Sequence, residues 1–168
     1  MSDSLISKME EEIKELIGGI SENGGYSHDW NGRVDIDVFP VDDTCPCAKV
    51  ELTAEVNIDE SEADSAAGPT GAFAEAYYNA LNYKISIKGT LPDRTDLLMA
   101  LDDLKKVFGK NYTLGDSGAS AIMYRGFKFV KKDDKDNAHL EDGALIIESN
   151  WIVRYYQSRT EPDKVAEV

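Results

Sequence analysis

Leu5, Ile6, Met9, Ile13, Leu16, Ile17 and Ile20 recur at three- and four-residue spacing, with Lys8, Glu11, Glu12, Lys14 and Glu15 on the other face. That period predicts an amphipathic helix with one buried stripe. Ser4 is its expected N-cap, and Gly18-Gly19 weakens its C-terminal end. After a turn-rich stretch from Ser21 to Gly32 the period changes to two. Val34, Ile36 and Val38 alternate with Asp35 and Asp37 across Arg33 to Phe39, as in a half-buried strand. Pro40 to Cys47 reads as a loop. Lys49 to Asp59 carries the clearest alternation in the chain. Val50, Leu52, Ala54, Val56 and Ile58 are expected on one face, with Glu51, Thr53, Glu55, Asn57 and Asp59 on a wet one.

Glu60 to Gly71 is acidic, rich in Ala, Ser and Gly, and interrupted by Pro69, which predicts a loop. Ala72 to Asn82 stays open: Ala72, Phe73, Ala76, Tyr77 and Ala80 suit a short helix, yet the segment runs directly into a strand pattern. That strand places Tyr83, Ile85 and Ile87 against Lys84, Ser86 and Lys88, and Gly89 closes it. A second helix is signalled by Asp93 as cap, Asp96 in the first turn and the stripe Leu97, Leu98, Leu101, Leu104, Val107, Phe108. Lys105 and Lys106 suit its last turn, with Gly109 just past the end. Ala121 to Lys131, a charged connection from Lys132 to Gly143, and Ala144 to Ser158 read as a long hairpin. The last strand exceeds the usual five or six residues, and both its faces are apolar in part. Leu145, Ile147, Trp151, Val153 and Tyr155 share one face. Ile146, Glu148, Asn150, Ile152, Arg154 and Tyr156 share the other. The fold class expected from this order is α+β: an antiparallel β-sheet with two main helices packed on one side and a long C-terminal β-hairpin. Residues 1–158 form the expected domain and 159–168 a polar tail.

The 168 residues suit one domain with a substantial core. No run approaches the ~18 apolar residues of a transmembrane helix. The start lacks the basic and apolar regions of a signal peptide, so a cytoplasmic site of synthesis is expected. Charge changes the picture more. With 32 acidic against 18 basic residues, the formal charge is −14, which repels a duplex. The nearest basic cluster, Lys128, Lys131 and Lys132, is followed at once by Asp133, Asp134 and Asp136.

Candidate chemistry is sparse. Cys45 and Cys47 enclose one residue, a strained span for a disulfide. They lack the spacing and the second ordered pair of a structural zinc site. The glycine pairs lie at a helix end and in a turn. Leu114-Gly115-Asp116-Ser117-Gly118 precedes a strand, so no phosphate cradle is expected. His28 and His139 are the only histidines, each in a polar stretch, and read as exposed surface residues instead of triad members. No carboxylate pair stands out among so many. The expectation is a protein that is not an enzyme, with no catalytic, cofactor-binding or metal-binding residue assigned. Trp151, Tyr155, Tyr156 and Arg154 are residue types enriched at interfaces. Trp151 and Tyr155 fit the core, leaving Ile152, Arg154 and Tyr156 as the candidate inter-subunit interface. Asp133, Asp134, Asp136, Glu141 and Asp142 are the candidate acidic loop facing a lumen or a partner.

This order of elements resembles the tail-terminator (tail-completion) proteins of long-tailed bacteriophages. The likeness is carried by the first helix through Ile20, the strand Lys49 to Asp59, the helix Asp93 to Phe108, and the closing Tyr124-Arg125-Gly126-Phe127 and Trp151-Ile152-Val153-Arg154-Tyr155-Tyr156. It is a likeness of order, length and texture. The resemblance implies a homo-oligomeric ring, typically of six copies, that caps the tail tube. Its implied partners are the tail tube protein and the head-neck connector protein, with DNA only as passing cargo and no membrane. The implied location is the virion, after assembly in the host cytoplasm. An acidic cytoplasmic binding module of immunity or adaptor type, recognising a basic partner, is the alternative. A hydrolase using acidic residues and a divalent metal ranks third.

Overall fold

The computed structural model describes residues 4–40, 46–58, 76–89, 94–114, 121–131, 145–158 and 161. The elements in order are α1 (Leu5–Gly18), β1 (Val34–Ile36), β2 (Cys47–Asn57), β3 (Ala76–Lys88), α2 (Arg94–Lys110), β4 (Ala121–Lys131) and β5 (Leu145–Ser158). They form an α+β fold: a five-stranded sheet of order β1-β2-β3-β5-β4, with both helices in one layer. Three pairings are antiparallel and β1–β2 is parallel, a departure from the all-antiparallel expectation. β4 and β5 make the long closing hairpin, and β3 inserts β5 into the sheet interior.

α1 begins where expected: the Ser4 side chain accepts from the Ser7 N–H at 3.1 Å. Its buried stripe is Leu5, Met9, Ile13 and Ile17. Each such side chain contributes roughly 1.5–3 kcal/mol on burial, so α1 is held by its one face. α2 runs through Gly109 to Lys110, two residues past the expected last residue, Phe108. Asn111 supplies the stop instead, donating from Nδ2 to the Val107 carbonyl at 2.8 Å. Both stripes meet Ala48, Val50, Leu81, Tyr83, Ile85, Ile87, Ile147, Trp151 and Val153 in one core. The Trp151 ring lies 4.9 Å from Phe108 and 5.1 Å from Tyr124. Trp30, from the turn-rich stretch, is fully buried in the same core.

Three expectations are corrected. The strand over Arg33 to Phe39 shrinks to three residues, because Asp37 takes φ 64° and turns the chain away. From Ala76 onward the open segment is strand, and a helix there is ruled out. β3 is flanked on both sides by β2 and β5, and that pairing overrides local helix preference. The regular alternation of Lys49 to Asp59 fails at Thr53, where the register with β3 shifts between Leu52 and Ala54. The bulge reverses the faces, as a one-residue slip must. Val50 and Leu52 point to the helices, whereas Val56 faces outward and is 49% exposed. The expected loops Glu60 to Gly71 and Lys132 to Gly143, the cap Asp93, Cys45 and His139 lie outside the described residues.

Candidate functional site

The face of the sheet opposite the helices falls into three zones along the strands. At one end Phe39 packs on Val130 and Ile146, with the Lys49 and Lys88 ammonium groups 5.0 and 5.6 Å from its ring centroid. The middle is a charge ladder across four strands. Lys49–Glu51 (3.2 Å), Lys84–Glu51 (3.9 Å), Lys84–Glu148 (3.7 Å) and Lys128–Glu148 (3.6 Å) alternate in sign. Such partly solvated pairs contribute little each, about 0–1 kcal/mol, but they set a wet centre.

The third zone holds the residues that the sequence pattern singles out. Ile152, Arg154 and Tyr156 line the outer side of β5, alternating with the buried Trp151, Val153 and Tyr155. All three are half-buried. Tyr156 stacks on Tyr78 of β3, ring centroids 4.5 Å apart and planes at 18°. Burial, with Tyr78 second, pushes the Tyr156 phenol above its ordinary range. Ile152 stands between Asn82 and Met123 in register, and Arg154 between Ala80 and Ala121. The Arg154 Nε is buried with no hydrogen-bond acceptor. An orphaned cationic donor of this kind costs free energy until an acceptor arrives. Tyr78 was not assigned from sequence because its segment was open between helix and strand. Asp133, Asp134, Asp136, Glu141 and Asp142 lie outside the described residues.

A second cluster lies on the helical side and corrects the reading of His28. Asp103, on the buried stripe of α2, is 3% exposed. Its carboxylate accepts from Ser27 N (2.8 Å), His28 N (3.1 Å) and Trp30 Nε1 (3.1 Å), and His28 Nδ1 lies at 3.2 Å. The other imidazole nitrogen, Nε2, is 2.9 Å from Asp96 Oδ1. His28 is thus clamped between two residues seven apart on one helix face, and it is no loose surface histidine. The clamp ties the turn-rich segment to α2. The cluster reads as a fastening.

A third polar group occupies the helix-side face of the sheet near the ends of β2 and β5. Asn57 Nδ2 donates to Asn79 Oδ1 (3.0 Å), and Asn79 Nδ2 donates to Gln157 Oε1 (3.0 Å), a row across three strands. Tyr155 Oη donates to Glu55 Oε2 at 3.3 Å. Burial pushes the Tyr155 phenol up to about 12, and Glu55 adds to the effect. The buried Tyr83 hydroxyl has no hydrogen-bond partner, and burial drives its ionisation to still higher pH. Glu10 on α1 has its carboxyl raised by burial first, then by Asp37 and Glu11.

Among the described residues no group of three or more His, Cys, Asp or Glu side chains is placed to hold a metal ion. Cys47 is buried at the start of β2. No described helix is long and apolar enough to cross a membrane. Comparison with known proteins finds no family model that matches the chain and no match among curated proteins.

Proposed function

We propose that this protein is a virion structural protein, a tail terminator whose copies form a ring, six in the resembling family. In this reading the ring caps the tail tube and joins it to the head-neck connector. The observation that carries the reading is the outer zone of β5: Ile152, Tyr156 and an Arg154 whose buried Nε has no acceptor, on the sheet face opposite the helices. A folded chain that half-buries apolar and cationic groups on a second face has a surface suited to another polypeptide. The order of elements supports the reading, and so does the charge of −14, which keeps passing duplex from adhering.

Light scattering after size exclusion, with electron micrographs of the protein mixed with tail tubes, tests the proposal. Closed rings seated on tube ends are expected. Ile152→Glu is expected to leave the fold intact and reduce assembly by roughly tenfold or more, since a charge would enter a dry contact. A strict monomer that ignores tubes overturns the proposal. Such a monomer capturing a basic partner, with affinity falling steeply as salt rises, would establish the alternative of an acidic protein-binding module.

A further inference from the structure

Among the described residues the sheet has two open edges, and they match. β1 covers β2 only over Ala48 to Val50, where Ala48 N donates to Arg33 O and Asp37 N to Val50 O. Asp37 then turns away, so residues 51–57 of β2 pair with β3 alone among the described residues. At the far side β4 pairs with β5 alone. Among the described residues its outer edge is met at one place, where Ile122 N donates to Tyr112 O at 2.7 Å. The antiparallel alternation fixes which groups stand open. On β2 they are the backbone N–H and C=O of Leu52, Glu55 and Asn57, and on β4 those of Tyr124, Phe127 and Phe129.

Direction and charge agree as well. β1 and β2 run one way, β3 the other, β5 the first way again and β4 the other. A copy related by rotation about an axis along the strands therefore brings its β4 antiparallel to the open half of β2. Residues 51–57 carry Glu51 and Glu55 and no basic residue, whereas β4 carries Arg125 and Lys128 and no acidic one. Each edge also bears an exposed apolar side chain, Val56 at 49% and Phe127 at 38%. Both edges are bulged, between Leu52 and Ala54 and between Tyr124 and Phe127, with Gly126 at φ 106°. Bulges deter pairing with unrelated strands.

We infer that copies of this chain join edge to edge, β4 of one adding antiparallel to residues 51–57 of β2 in the next. The joint is heterologous, so it closes into a ring or runs on as a filament according to the rotation per copy. It rests on the assembly reading above and adds an edge contact to the contact made by the outer zone of β5.

Hydrogen exchange on the unaltered protein, followed from dilute to concentrated solution alongside scattering mass, tests the joint. The amides of Glu55, Asn57, Phe127 and Phe129 are expected to slow about tenfold or more as mass grows, because open edge groups exchange freely until paired. Assembled particles whose edge amides exchange as fast as in the dilute chain would overturn the edge joint while leaving the assembly reading standing. Edge protection in open filaments that never cap tubes would uphold the joint and overturn the tail-terminator reading. A chain that stays monomeric at high concentration overturns both.

Discussion

Asp103 shows how much one side chain decides here. It sits where the α2 stripe calls for an apolar residue, yet it is 3% exposed and serves three N–H donors besides the His28 ring. Asp103→Asn keeps the volume but turns part of the acceptor into a donor, leaving buried N–H groups unsatisfied. A loss of about 2–4 kcal/mol is expected, read from urea unfolding followed by tryptophan fluorescence. Tyr155 gives a prediction against pH. Its phenol is pushed up to about 12, chiefly by burial, against an ordinary value of ~10. The folded state therefore holds this proton more tightly than the unfolded one does. The stabilisation is complete below pH ~10 and is lost as pH rises toward about 12. Tyrosinate absorbance should show this tyrosine ionising late, together with loss of fold.

Among the elements, β5 carries the most. Its odd positions face the helices, its even positions face outward, and it pairs on both sides. Ser149 is the polar exception on the buried face. It donates to the Ile85 carbonyl at 2.7 Å and accepts from Trp151 Nε1 at 2.9 Å. Ser149→Ala removes both partners at once from a site with no water access, and a cost of about 2 kcal/mol in thermal or urea unfolding is expected. α1 is simpler, because its energy is one apolar stripe. Ile13→Ala is expected to cost about 2–5 kcal/mol, since a fully buried isoleucine leaves a cavity behind.

For the whole molecule, charge and layering are the controlling facts. Among the described residues a single layer of helices leaves one broad sheet face and two edges open. With a charge of −14 the chain is on average repelled by duplex DNA. A mobility-shift titration is expected to show no retarded band, for the isolated chain and for any assembly of it.

Periodicity in the sequence determined the elements themselves: α1 and its Ser4 cap, the α2 stripe, the hairpin and the two-faced last strand. Hydrophobic spacing is local, so it is readable without knowing what packs against it. It also determined which side of β5 holds Ile152, Arg154 and Tyr156. Only the tertiary structure decided the rest. The bulge at Thr53, which turns Val56 outward, depends on register with a strand far along the chain. The same holds for the parallel seating of β1 and for the strand state of the segment beginning at Ala76. Asp103 and His28 are 75 residues apart, and spacing alone gave no sign that they would meet. Long-range pairing selects among conformations that local preference leaves nearly equal in energy, which is why those features became legible only in the fold.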